Sequence, residues 1–177
     1  MTGRPVRSAA TPALRALARA GVDHEVIGFE STAAPRSAPA PGRAPGPGYG
    51  AEAAAVLGLD PAEVFKTLMV QLTDGSLAAA VVPVSATLDL RAAATALGVK
   101  KVTLADPALA ERRTGYVVGG ISPVGQKHPA PTVVDASALD RPGVYVSAGQ
   151  RGLEVRLAPV DLVSVTSAVV ARIATPR

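Results

Sequence analysis

The stretch Tyr116-Val117-Val118-Gly119-Gly120-Ile121-Ser122-Pro123-Val124-Gly125-Gln126-Lys127 sets an apolar run directly before three glycines, a serine, a proline and a lysine. The run predicts a strand over Tyr116–Val118 that empties into a tight turn. Glycine lets backbone N–H groups approach a ligand with no Cβ in the way, and Lys127 adds positive charge. Two readings fit. One is a plain surface turn, the usual home of Gly and Pro. The other is a cradle for a phosphate, a carboxylate or a developing oxyanion.

Outward from this stretch, helix and strand signals alternate irregularly. Thr11 with Pro12 starts a helix that Gly21 ends, and Leu14 and Leu17 give it an apolar face. Ala51 to Leu57 predicts a second, stopped by Gly58. Asp60-Pro61-Ala62-Glu63 has the form of a capping box and predicts a short helix ending near Lys66. Asp89 to Leu97 predicts another, stopped by Gly98. Asp106-Pro107 opens one that Gly115 terminates, and Val160 to Ala174 predicts a long final helix. Strands are predicted over Glu25–Phe29, Thr67–Leu72, Ala78–Pro83, Val102–Leu104, Thr132–Val134, Val144–Ser147 and Leu153–Leu157, with a hairpin turn at Thr73-Asp74-Gly75-Ser76. The expectation is an α+β domain, a mixed sheet surrounded by helices, rather than a regular doubly wound α/β fold.

The segment Ser31 to Gly48 holds five prolines and three glycines, and alanines are its only other apolar side chains. Such a segment cannot bury enough surface to offset its ordering entropy. It predicts a disordered loop over 31–48 inside one domain spanning 11–175, behind a flexible N-terminus over 1–10.

Composition removes several chemistries. The chain has 177 residues, 48% hydrophobic, with 3% aromatics, no Trp and a net charge of +4. A core of Ala, Val and Leu follows. No cysteine means no disulfide, no Cys nucleophile and no Cys-ligated zinc. His24 and His128 have no second ligand at a metal spacing, so no metal is expected. No apolar run approaches the roughly 20 residues of a membrane span, and the basic N-terminus has no apolar region behind it, so a soluble cytoplasmic protein is expected.

Four places could carry chemistry. Lys66 reads either as a helix C-terminal lysine facing the macrodipole or as a cation in a cleft, gripping an anionic or carbonyl oxygen. Ser122 fails the nucleophile-elbow pattern, because Pro123 follows it and the second glycine is one residue late. Ser147-Ala148-Gly149-Gln150-Arg151-Gly152 is a second glycine-containing turn, with Glu154 beyond it. It reads as an ordinary hairpin or as the opposite wall of a small pocket. Lys100-Lys101, Arg112-Arg113 and Arg151 read as solvated cations or phosphate contacts.

Phe65-Lys66-Thr67-Leu68, Leu88-Asp89-Leu90, Gly98-Val99-Lys100-Lys101-Val102, Ala105-Asp106, the stretch Thr114 to Lys127, Tyr145-Val146-Ser147 and Arg151-Gly152-Leu153 follow one another in an order and spacing that closely resemble the YbaK/EbsC family of aminoacyl-tRNA deacylases. The resemblance covers about residues 11–30 and 49–175. It implies a mixed, partly barrel-like sheet surrounded by helices, as in the editing domain associated with prolyl-tRNA synthetases. It implies hydrolysis of Cys-tRNA(Pro) without cofactor or metal, the cysteinyl thiol attacking its own ester. The implied partners are the aminoacyl-tRNA acceptor end and a prolyl-tRNA synthetase. The resemblance puts Lys66 on the functional lysine, and Gly119 and Pro123 on the loop that positions the ester, together with Gly120, Ile121 and Ser122. It puts Phe29, Thr67, Ser147, Gly149 and Glu154 at substrate-binding positions, Glu154 for the more usual aspartate and Phe29 where relatives often have tyrosine. A deacylase for another amino acid, such as Ala-tRNA(Pro), and a non-catalytic tRNA- or synthetase-binding module are the alternatives.

Overall fold

The computed structural model describes residues 10–31 and 48–176. The tail expected before residue 10, and nearly all of the loop expected over 31–48, lie outside the described residues. Helix α1 (Pro12–Arg19) is opened by Thr11, whose Oγ1 accepts from the Leu14 N–H at 3.2 Å. The same hydroxyl donates to the Ala148 carbonyl at 2.5 Å, which ties the helix start to a distant strand. Its Ala13, Leu14 and Leu17 are buried. Strand β1 (His24–Gly28) and helix α2 (Tyr49–Leu57) follow, and α2 ends at Gly58 as expected.

Then come β2 (Phe65–Leu72), β3 (Leu77–Pro83), β4 (Ala86–Leu88), α3 (Leu90–Ala96), β5 (Val102–Leu104) and α4 (Pro107–Thr114). The hairpin between β2 and β3 is the one read from Thr73–Ser76: Asp74 Oδ1 accepts from the Ser76 N–H at 2.9 Å, and the Leu72 N–H donates to the Ser76 carbonyl. Helix α3 is capped by Asp89 and α4 by Asp106, both through Oδ1. The rest is β6 (Thr132–Asp135), a 3₁₀ turn, β7 (Val144–Gln150), β8 (Leu153–Leu157), α5 (Pro159–Thr166), β9 (Val169–Ala171) and β10 (Ala174–Pro176).

The larger sheet has the order β5-β2-β3-β6-β9. Its β5, β2 and β3 run antiparallel, while β3–β6 and β6–β9 are parallel, so the sheet is mixed as the sequence predicts. Central β3 is buried along its whole length, and its run Ala78-Ala79-Ala80 lets neighbouring layers approach closely. A second sheet, β1-β8-β7, is antiparallel throughout. The two sheets are stitched just before β2: Val64 bridges Tyr145, and the Tyr145 N–H donates to the Glu63 carbonyl at 2.9 Å. Phe65, 2% exposed, joins α1, Val81 of β3 and the second sheet in one apolar cluster. Burying such a ring contributes about 2 kcal/mol. No helix among the described residues is long and apolar enough to cross a membrane.

Three expected elements differ. The Asp60 capping box closes a single turn, with the Ala62 N–H on Asp60 Oδ1 and the Glu63 N–H on its carbonyl. The β-prone run Val64-Phe65…Val70 then takes over as strand, because pairing with β3 outweighs a local cap. Tyr116–Val118 is not a strand. Tyr116 is buried at the base of its own loop, where its hydroxyl donates to the Val124 carbonyl at 2.7 Å. The final helix stops at Thr166, where Ser167 takes a left-handed cap at φ 50. The chain beyond it pairs with β6 and β4 instead. There the buried Asp135 carboxylate accepts from the Ile173 and Ala174 N–H groups, each at 2.8 Å.

Candidate active site

The stitching of the two sheets brings β2 to face β7 and β8. A cavity of about 320 Å³ opens between them, walled also by the start of α2, the first turn of α4 and the glycine loop after α4. Lys66, Thr67, Gly119, Ile121, Ser147 and Glu154 all line it. Lys66 is the second residue of β2, not the end of a helix, so the macrodipole does not explain it. It is half-buried, and Nζ donates to the Ala86 carbonyl at 2.8 Å. This bond anchors the side chain at the cavity wall. Thr67 Oγ1 is buried with no hydrogen-bond partner among the described residues.

The loop over 117–120 is clamped from three sides. The Val118 N–H donates to Glu111 Oε1 at 2.7 Å, and Arg151 Nε donates to the Val118 carbonyl at 2.8 Å. The Arg151 guanidinium also stacks over the Tyr49 ring, 4.8 Å from its centre. That ring lies against Gly119, whose φ of 91 is in the left-handed region, and a Cβ on Gly119 would run into it. Gly120 packs on the Gln150–Arg151 backbone, where an added Cβ would sit 2.9 Å from the Arg151 nitrogen. The Gly119 and Ile121 N–H groups have no hydrogen-bond partner among the described residues, and both residues line the cavity.

Glu154 lies on the middle strand of its sheet, flanked by Ile27 on β1 and Ser147 on β7. It is 8% exposed, and burial pushes its carboxyl up to about 8. At neutral pH it therefore carries a proton and can donate as well as accept. The unfolded chain holds a Glu near 4.5, so between pH 4.5 and 8 the folded state binds one more proton than the unfolded state. Stability is expected to fall through that window by up to roughly 1.4 kcal/mol per pH unit from this group. Glu154→Gln, an uncharged mimic of the protonated form, is expected to flatten that part of the profile and to be more stable than the parent at pH 8. Thermal unfolding from pH 5 to 9 checks this. Parallel profiles for the two proteins would show that Glu154 is ionised in the fold.

The other sequence-derived residues lie outside the cavity lining. Phe29 follows β1, half-buried, its N–H on the Gly152 carbonyl at 2.8 Å. Ser122 is fully buried, and its Oγ accepts from the Val124 N–H while its carbonyl accepts from Gln126. Pro123 is buried beside it. Gly149 sits on the irregularity of β7 and packs against the Tyr116 ring. Ser122, Pro123 and Gly149 thus shape the loops that hold the wall. Sequence reasoning missed Tyr49, which lines the cavity from the first residue of α2. The signal was present: one of few aromatics, set between Gly48 and Gly50, where the proline-rich stretch stops. No group of three or more His, Cys, Asp or Glu among the described residues could hold a metal ion.

A family model described as the aminoacyl-tRNA editing domain matches residues 47–165. A curated protein of Enterococcus faecalis, named as a candidate Cys-tRNA(Pro)/Cys-tRNA(Cys) deacylase, EbsC, is 38% identical over 119 residues, 67% of this chain and 73% of that protein. Among solved structures, a candidate trans-editing enzyme for prolyl tRNA synthetase aligns over 95% of this chain and 99% of its own, with a TM-score of 0.75 and 27% identity. A hypothetical protein aligns over 93% and 100%, with a TM-score of 0.78 and 29% identity.

Proposed function

Because this chain belongs to the aminoacyl-tRNA editing domain family, we propose that its cavity hydrolyses the ester of a mischarged tRNA, cysteine on tRNA(Pro) being the error it removes. The observation that carries the reading is that Lys66, Gly119, Ile121 and the buried Glu154 line one cavity. These groups bind and polarise an ester. None of them is a nucleophile with an adjacent base, and neither histidine lines the cavity.

The attacking atom then comes from the substrate. The cysteinyl sulfur adds to the ester carbonyl while the oxygen takes the Gly119 and Ile121 donors. The C–O bond breaks, the terminal ribose oxygen leaves with the proton lost by the thiol, and a four-membered thiolactone remains. Water opens it to free cysteine. Lys66 holds the acceptor end, and Thr67, Ser147 and Glu154 hold the amino acid. Such a reaction belongs in the cytoplasm, with tRNA identity supplied by a prolyl-tRNA synthetase partner.

A deacylation panel of Cys-, Ala- and Ser-tRNA(Pro), with and without the synthetase, tests the reading. Cys-tRNA(Pro) is expected to be cleaved at least a hundredfold faster than the Ala and Ser esters, which lack the thiol. Equal rates on all three would overturn the thiol mechanism and leave a general editing hydrolase. Binding without turnover of any ester would make the protein a tRNA-binding module.

A further inference from the structure

Resting on that reading, we infer that the outward side of the last turn of α4, together with Lys127, is the seat for backbone phosphates of the tRNA acceptor stem. Helix α4 has two sides with different work. Pro107 and Ala110 line the cavity, Thr114 is buried, and Glu111 is turned to the Val118 N–H. These positions share one face at helical spacing. Arg112 and Arg113 fall on the other side and are exposed.

Lys127 reaches this turn from a separate segment. Its N–H donates to the Thr114 carbonyl at 2.8 Å, the His128 N–H donates to the Arg113 carbonyl at 3.1 Å, and a Cβ on Gly115 would lie 3.2 Å from the Lys127 Cβ. The macrodipole favours cations at this end, and two separate segments supply three of them there. Arg141 with Asp60, far along the chain, is the one salt bridge among the described residues, so Arg112, Arg113 and Lys127 have no carboxylate on them. The one acidic side chain in the second half of α4, Glu111, is spent on the loop.

Position selects nucleic acid over an acidic protein. At 1.5 Å per residue, Arg112 is about 7.5 Å along the axis from Pro107 at the cavity wall. Val117, 50% exposed, lies on the chain between the cationic turn and Gly119 and offers apolar surface for a base to cover. A tRNA whose terminal ester fills the cavity must leave by its mouth, and its phosphates are the anions that accompany it.

The test compares Arg112→Ala/Arg113→Ala/Lys127→Ala with Arg19→Ala/Arg91→Ala, which removes exposed cations away from the cavity. Deacylation is measured on Cys-tRNA(Pro) and on a cysteinyl ester of adenosine, which has no stem. For the triple variant, kcat/KM on the tRNA is expected to fall at least tenfold at 0.1 M salt. The slope of log(kcat/KM) against log[salt] is expected to become shallower by about two. The adenosine ester is expected to react at the parent rate. A tRNA loss no greater than in the control variant, or an equal loss on the adenosine ester, would overturn the inference. Anisotropy with uncharged tRNA separates it from the proposed function. If the parent cleaves no ester, the function fails, yet loss of salt-dependent binding in the triple variant still supports the seat, and unchanged binding still overturns it.

Discussion

Lys66→Met is expected to lower kcat/KM for deacylation by about two orders of magnitude while the fold stays intact. Methionine keeps the apolar stem of the side chain, so packing along β2 against β3 is retained and only the ammonium is lost. That ammonium stands in the wall opposite Glu154 and Ser147, held by the Ala86 carbonyl. A cation set in a partly water-excluded site acts on an anionic or developing oxyanion far more strongly than in solvent, and removing one such donor costs a factor of 10² to 10³. Lys66→Arg is not expected to rescue, because a planar fork cannot take the place of a compact point charge on the Ala86 carbonyl. Single-turnover rates with Cys-tRNA(Pro), alongside circular dichroism, check the prediction. A rate within threefold of the parent would remove Lys66 from the site.

Gly119→Ala is expected to cost both stability and activity, and the two losses can be separated. The new Cβ meets the Tyr49 ring, and φ 91 is a conformation that alanine rarely adopts. Gly98→Ala is the reference: its φ of 69 is also left-handed, yet nothing lies within 4 Å of the added carbon. Gly98→Ala is expected to lose about 1 kcal/mol of stability with full activity. Gly119→Ala is expected to lose about 2 kcal/mol or more, and to drop kcat/KM by about a hundredfold as the Gly119 and Ile121 donors are pushed off line. In Gly119→Ala/Tyr49→Ala the collision is gone, so part of the stability is expected to return while activity stays low. Urea melts and deacylation rates of the four proteins check this. Full activity in Gly119→Ala would show that the loop does not touch the reacting ester.

Features of the fold carried by local chemistry were readable in advance. The Thr11 and Asp106 caps and the Thr73–Ser76 turn each depend on a side chain and its neighbours within three residues, and each forms as expected. The Asp60 turn obeys the same local rule, but the strand after it answers to a partner strand, which a window of sequence does not show. The C-terminal stretch is the clearest case. Val160 to Ala174 is apolar enough for a long helix, and partners distant in the chain, the strands β4 and β6 and the Asp135 carboxylate, draw its second half out of the helix. Lys66 and the glycine loop stand out in the sequence because their residue types are unusual where they fall, and the fold brings both to the cavity wall. Tyr49 carries a fainter signal, an aromatic between two glycines, and its place in the wall rests on a contact with Gly119 seventy residues away. Ser122 and Gly149 were marked as binding residues by their setting in the motif, whereas their side chain and backbone serve the loop itself.

The Asp135 clasp also sets an order of events during synthesis. The larger sheet draws its strands from residues 65 to 171, and its parallel pairs close only across long stretches of chain. Sheets of such non-local pairing assemble slowly. A nascent chain that has not yet delivered residues 169 to 174 holds a carboxylate with two of its donors missing and β6 without β9 on its flank. Until those residues arrive, the growing polypeptide exposes an unpaired strand edge to other chains, so the interval before they emerge is when a chaperone has most to guard.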